Sequence, residues 1–249
     1  MKSIILAGGF ATRLLPVTKH IPKPLLPVNG KPIIDYIIRN VEQIDNVDKI
    51  IISTNKKFEN HFKYWLSGLK IKKDVELFVE PTMSEEEKFG SIKAIEYIIN
   101  KKKINDDCLV VGGDNLFELN LRNFVENFKK NRDPIVALYD IGDVNKAKRF
   151  GVMKLDENNI VKLFEEKPEN PKSTLVSTAC YIFPKRTLKL FSEYVNNGYN
   201  KDAPGFFLQW LYKKTRVVGY PFKGYWFDIG TLDAYTECVN FFKEMKVNS

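Results

Sequence analysis

"SIILAGGFATRLLPVTKHIPKPLLPVNGKPII" runs from Ser3 to Ile34. A short apolar run of strand type, Ile4, Ile5 and Leu6, ends in the pair Gly8 and Gly9. A loop dense in Arg, Lys, Thr and Pro follows, and apolar periodicity returns only near Ile33. The pattern predicts a buried strand, a glycine turn, a long polar loop and then a helix from Ile33 to Ile44.

Further apolar runs alternate with amphipathic segments along the chain. Strands are predicted at Ile4 to Ala7, Lys49 to Ser53, Val75 to Glu80, Cys108 to Gly112, Ile135 to Ile141 and Val217 to Phe222. Besides Ile33 to Ile44, helices are predicted at Phe58 to Leu66, Ser91 to Lys101 and Leu121 to Lys130. Such alternation implies an α/β fold: a Rossmann-like, mostly parallel sheet flanked by helices. The second half departs from this rhythm. "GVMKLDENNIVKLFEEKP" (Gly151 to Pro168) holds two short runs around Asp156 to Asn159, a hairpin signal, and "TLVSTACYIF" (Thr174 to Phe183) is another extended run. An antiparallel subdomain is therefore expected over one end of the sheet. Without repeats or Ser/Gly linkers, residues 1–249 read as a single domain.

Composition narrows the class. With 249 residues and 44% hydrophobic content, the chain can bury a sizeable core. Cys108, Cys180 and Cys238 are odd in number and lack a C-x-x-C pair, which predicts reduced thiols and no zinc. The N-terminal apolar run is too short for a signal peptide, and no run approaches a membrane span, so a cytoplasmic protein without membrane contact is expected. A net charge of +8 suits polyanionic partners. The sign alone does not separate nucleic acid from small phosphorylated molecules; the lysines are scattered rather than gathered in one stripe and read mostly as solvated surface, so no nucleic-acid partner is expected.

In an open parallel sheet, ligands collect beyond the carboxyl ends of the strands. Gly8 and Gly9 fall there. Lacking Cβ atoms, they let main-chain N–H groups approach a phosphate, Arg13 and Lys23 can supply charge, and Thr12 a hydroxyl. A Gly-Gly turn after a strand also serves structure alone, and neither G-x-G-x-x-G nor the Walker pattern is present.

The whole string resembles the signature of the sugar-1-phosphate nucleotidyltransferases, L-A-G-G-x-G-T-R-L-x-P-x-T followed by K-P-[LM]-[LV]-P-[VI] and G-K-P. Further along, "VVGGDNLF" (Val110 to Phe117), "RFGVMKL" (Arg149 to Leu155), "FEEKP" (Phe164 to Pro168) and "YWFDIGT" (Tyr225 to Thr231) are similar to the family's later motifs, in the family's order. The resemblance implies the nucleotide-diphospho-sugar transferase fold. Residues 1–113 would form mainly the nucleotide-binding half and 114–249 mainly the sugar-phosphate-binding half.

It also implies a reaction in which NTP and a sugar 1-phosphate give NDP-sugar and pyrophosphate by in-line attack on the α-phosphorus. Catalysis then consists of positioning two repelling anions and neutralising the leaving pyrophosphate. On this resemblance, Arg13 and Lys23 serve the triphosphate and Lys167 the sugar phosphate, while Asp114 and Asp228 hold Mg²⁺. Leu6, Gly8, Gly9, Ala11, Thr12, Arg13, Glu80, Glu87 and Gly90 would contact the nucleotide. Asn115, Gly151, Glu166, Lys167, Tyr181 and Trp226 would hold the sugar.

The chain departs from the family pattern in several places. Ala11 replaces a usual glycine and is expected to take a conformation an L-residue tolerates; Thr178-Ala179 replaces a frequent Thr-Gly. "KDAPGFFLQWL" (Lys201 to Leu211) lacks the Glu-rich stretch of thymidylyltransferases, leaving the sugar open. Glu80 takes the place of their base-reading Gln, and an ionised Glu only accepts hydrogen bonds, which suits guanine. The best match is a glucose-1-phosphate enzyme using dTTP or UTP; a mannose- or heptose-phosphate guanylyltransferase and a silent NDP-sugar-binding regulator are the alternatives. The chain is expected to end about ten residues after its last helix and to lack the acyltransferase extension of some relatives. A homo-oligomer remains open.

Overall fold

A computed structural model describes residues 1–247. The chain runs through β1 (Lys2–Leu6), the short ribbon β2 (Pro27–Val28) and β3 (Lys31–Pro32), α1 (Ile33–Glu42), β4 (Lys49–Asn55), α2 (Glu59–Gly68), β5 (Asp74–Glu80), α3 (Ser91–Lys101) and β6 (Cys108–Gly112). It continues through β7 (Asn115–Phe117), α4 (Leu121–Asn131), β8 (Ile135–Asp140), α5 (Val144–Ala147), β9 (Gly151–Leu155), β10 (Val161–Glu166), β11 (Leu175–Phe183), α6 (Lys189–Asn196), α7 (Pro204–Leu211), β12 (Val218–Phe222), β13 (Trp226–Asp228) and α8 (Leu232–Val247).

Nine strands form one sheet in the order β10-β9-β11-β6-β1-β4-β5, with β8 pairing both β11 and β12. β5, β4, β1 and β6 are parallel, whereas β11 runs antiparallel to β6, β8 and β9. Side-chain alternation explains why the parallel strands are apolar throughout. Ile5, Ile50, Ile52 and Val111 enter the core on one face, and Ile4, Ile51 and Val110 enter the core on the other. Helix α1 covers the first face with Ile34, Ile37, Ile38 and Val41, an i, i+3, i+4, i+7 stripe. Helix α3 covers the second with Ile92, Ile95, Ile98 and Ile99. Each such side chain, fully buried, contributes about 1.5–3 kcal/mol.

The Gly151–Pro168 hairpin and the extended run before Phe183 are present as β9–β10 and β11. The helix predicted from Phe58 begins at Glu59, because the Asn55 side chain accepts the Phe58 N–H at 3.0 Å and closes a 3₁₀ turn first. The expectation that the last helix stops about ten residues short is corrected: α8 extends to Val247. α6 and α7 formed beyond the predicted set, as did a separate ribbon in which β13 pairs antiparallel with β7. Among the described residues, no helix is long and apolar enough to cross a membrane. Cys108, Cys180 and Cys238 are buried and unpaired.

Candidate active site

A cleft of about 830 Å³ opens at the carboxyl ends of β1 and β6, where Leu6 and Gly112 reach its lining. The main chain ties these ends together: Ala7 N–H donates to Ser53 O at 2.8 Å, and Gly113 N–H to Leu6 O at 2.8 Å. Beyond β1, the loop carrying Gly8 to Arg13 forms one wall. Gly8 is required there by packing, since a Cβ would lie 2.7 Å from Glu80 Oε1, whereas a Cβ on Gly9 would meet nothing within 4 Å.

Ala11 takes the small left-handed region open to an L-residue, at φ 53° and ψ 39°, and its carbonyl accepts the Thr18 hydroxyl at 2.8 Å. Ala179, in the other Gly-to-Ala position, is also left-handed, with φ 53°. Both line the cleft. An L-residue there costs roughly 1–2 kcal/mol relative to the right-handed region.

The β7–β13 ribbon unites the two distant aspartates. Asp228 stands opposite Asn115 in the pairing, and Ile229 N–H donates to Asp114 O at 3.1 Å. Lys23 reaches across from its 3₁₀ turn to form an ion pair with Asp114. Burial pushes the Asp114 carboxyl up, but the Lys23 ammonium and a hydrogen bond from Asn115 outweigh it and hold the group below its ordinary value. Among the described residues Asp228 has no such donor. Burial, reinforced by the Asp114 charge, raises it from 3.8 to about 6 despite Lys23, Arg13 and Arg149 nearby.

Asn115 is only 2% exposed and its amide is engaged on both sides. Nδ2 donates to Asp114 Oδ1 at 2.8 Å, and Oδ1 accepts Trp226 Nε1–H at 2.8 Å. It thus braces the carboxylate against an aromatic wall. Tyr181, also in the lining, is buried on β11 and its hydroxyl accepts from Ser177 Oγ at 3.2 Å.

Glu166, also in the lining, closes β10 with a side chain 6% exposed, 4.0 Å from the Lys167 ammonium. Burial raises its carboxyl, and Lys167 only partly offsets this. Gly151 makes room for it and for Phe164, since a Cβ there would lie 2.5 Å from Phe164 Cζ and 2.8 Å from Glu166 Oε2. Lys167 itself is 57% exposed and left-handed, with φ 48°.

Glu80 is buried at the end of β5, 4% exposed, accepting from Ser53 Oγ at 2.5 Å, with burial raising its carboxyl. Glu87 is not brought into the cleft lining. Its carboxylate turns back to accept the Met83 N–H at 2.7 Å, and Glu85 and Lys88 face the cleft instead. Gly90, with φ 74°, packs directly on the main chain of Lys201 and Asp202. The other predicted positions (Leu6, Thr12, Arg13 and Trp226 among them) all reach the one cleft. Arg149, Asn200 and the wall from Asp202 to Phe206 also line it and were absent from the predicted set. Arg149 had a signal, because it opens the quoted "RFGVMKL"; the wall had none, because only packing brings it there.

The sequence profile of the nucleotidyl transferases matches residues 2–245. The chain belongs to the nucleotidyl transferase family. The resemblance to the sugar-1-phosphate members is carried by named relatives. The bifunctional protein GlmU of Methanococcus aeolicus is 33% identical over 242 residues, 95% of this chain and 54% of that protein. A glucose-1-phosphate adenylyltransferase of Mycoplasma mobile is 32% identical over 252 residues, 95% of this chain and 65% of that protein. This nucleotidyl transferase thus spans roughly half to two thirds of the curated relatives it matches. A solved Bacillus anthracis chain, described as a glucose-1-phosphate thymidylyltransferase in complex with a sucrose, superposes with a TM-score of 0.83 at 29% identity, covering 97% of this chain and 94% of that one.

Proposed function

We propose that the protein joins an NTP to a sugar 1-phosphate, releasing pyrophosphate and forming an NDP-sugar. The observation that carries this reading is the meeting of Asp114, Asp228 and Lys23 in a cleft that Gly8 to Arg13, Glu166 and Lys167 also line. An oxygen of the sugar phosphate attacks the α-phosphorus, and the bond from that phosphorus to the bridging oxygen of the β-phosphate breaks. The attacking oxygen is already ionised near neutral pH, so no general base is required. Arg13 and Lys23 neutralise the triphosphate and the departing pyrophosphate; Lys167 orients the sugar phosphate.

Asp114 and Asp228 would hold Mg²⁺. Among the described residues, no group of three or more His, Cys, Asp or Glu forms a metal cage. Two carboxylates in a cleft that receives phosphates suit an ion that completes its shell with substrate oxygens and water. Bound there, it would supply charge neutralisation at the reacting phosphates. The raised Asp228 fits the same role, since its repulsion with Asp114 is the kind a divalent cation relieves.

Leu6, Gly8, Gly9, Ala11, Thr12, Glu80 and Gly90 form the nucleotide side in this reading. Asn115, Gly151, Glu166, Tyr181 and Trp226 form the sugar side, with Asn115 acting through Asp114 and Trp226. For the base, burial of Glu80 is the relevant observation. Burial shifts its carboxyl toward the protonated form, which donates as well as accepts, as a Gln amide does, and that direction suits a pyrimidine. We therefore favour glucose 1-phosphate with dTTP or UTP, in the cytoplasm. Pyrophosphate release from a matrix of NTPs against sugar 1-phosphates tests the reading. Turnover only with GTP and mannose or heptose phosphate would redirect it to a guanylyltransferase, and no release with any pair would leave a silent binder.

A further inference from the structure

"KDAPGFFLQWL" supplies α7 and the turn before it, and its role goes beyond completing the cleft wall. Gly205 and Gln209 lie one helical turn apart and therefore share a face of α7. Both grip Glu166. Any Cβ on Gly205 would overlap the Glu166 carboxylate, so only glycine lets that side chain lie against the helix. Gln209 Oε1 accepts the main-chain N–H of the same residue at 2.8 Å.

The two contacts act where the backbone needs holding. β10 is an edge strand of the sheet. Lys167, the next residue, leaves the strand in the left-handed region, at φ 48°, and its N–H donates to Phe150 O at 3.0 Å. Two consecutive N–H groups are thus pinned, one by β9's approach and the other by α7. Left-handed Lys is costly and persists only where its surroundings over-determine it. Among the described residues no hydrogen-bond donor meets the Glu166 carboxylate, so its backbone, the glycine cradle and the Lys167 ammonium 4.0 Å away aim it at the cleft.

We infer that Gln209 is a positioning residue for the sugar-phosphate end of the site, holding the Glu166 amide so that the Glu166 carboxylate and the Lys167 ammonium face the bound sugar phosphate together. This rests on the reading that Glu166 and Lys167 contact that substrate. Gln209→Met keeps the length and removes the acceptor; Gln209→Glu keeps an acceptor oxygen in the same place.

The test measures KM for the NTP and for the sugar 1-phosphate, kcat, and amide exchange at Glu166 and Lys167 by mass spectrometry, in wild type, Gln209→Met, Gln209→Glu and Lys167→Ala. Gln209→Met is expected to raise KM for the sugar 1-phosphate about tenfold while KM for the NTP stays within about twofold. Amide exchange at Glu166 and Lys167 should quicken about tenfold, with β9 unchanged. Gln209→Glu should return KM to within about threefold of wild type. The inference is overturned if Gln209→Met moves both KM values and kcat together or fails to fold, which is a general structural role. It is equally overturned if nothing moves or if Gln209→Glu behaves like Gln209→Met. Lys167→Ala separates the two layers: an unchanged sugar-phosphate KM there removes the substrate assignment itself, whereas a raised KM with a silent Gln209→Met removes Gln209 alone.

Discussion

Asp228 and Asp114 share one end of a two-stranded ribbon, yet only Asp114 is paired with a cation, Lys23. The unequal partnership splits their acidities. Asp114 is held below its ordinary value, and Asp228 is pushed up to about 6 by burial and by Asp114. The pair stores repulsion that a divalent cation would relieve.

Loss of either carboxylate should therefore separate activity from stability. Asp114→Asn and Asp228→Asn are each expected to lower kcat by at least about two orders of magnitude, as for removal of a major charge-stabilising element. Near wild-type turnover at saturating Mg²⁺ would remove that residue from the metal site.

The pH dependence of folding carries a sign that follows from Asp228. A carboxyl raised from 3.8 to about 6 binds more protons folded than unfolded, so its contribution to stability is full below 3.8 and is lost as pH rises through about 6. Asp228→Asn should remove that slope and raise Tm of the metal-free protein at pH 8, by roughly 2–4 °C per kcal/mol relieved. Thermal melts of the two proteins from pH 4 to 8 decide it; parallel curves would show that Asp228 is ionised at little cost.

Base choice should respond to Glu80. Its carboxyl is raised by burial, so Glu80→Gln is expected to preserve or raise kcat/KM with dTTP or UTP. Any activity with GTP would rest on the ionised carboxylate and should fall about ten- to a hundred-fold in the variant, the loss of a charge-assisted hydrogen bond of about 1.5–3 kcal/mol. Wild-type preference for pyrimidines should weaken as pH rises and Glu80 ionises, while the Gln variant shows no such trend. NTP ratios that are the same in both proteins at every pH would exclude Glu80 from base selection.

The glycine loop offers a stability test. Ala11 and Ala179 occupy left-handed positions, so Ala11→Gly and Ala179→Gly should each stabilise the fold by up to about 1 kcal/mol, the strain relief exceeding the added freedom of the unfolded chain. Gly8→Ala should do the reverse, driving a methyl into Glu80, whereas Gly9→Ala meets open space and should leave stability within about 0.5 kcal/mol. Equal chemical-denaturation midpoints for Gly8→Ala and Gly9→Ala would contradict the packing described.

The chain's periodicity by itself determined the parallel strands, the Gly151–Pro168 hairpin and the helices at Ile33 and Ser91, because apolar spacing registers which faces must leave water. Its ordered motifs marked the family and most of the cleft residues. Tertiary structure alone decided how those residues are used. Ala11 stays left-handed because the loop around it dictates the backbone. Glu87 turns away because a nearer main-chain donor, at Met83, claims it. Asn115 braces two neighbours because ribbon pairing brings Trp226 beside it. Gln209 meets Glu166 through the packing of α7 on the edge of the sheet, 43 residues away along the chain. Local spacing carries information about burial over a few turns or strand repeats, and contacts between distant segments form only when the whole core has closed.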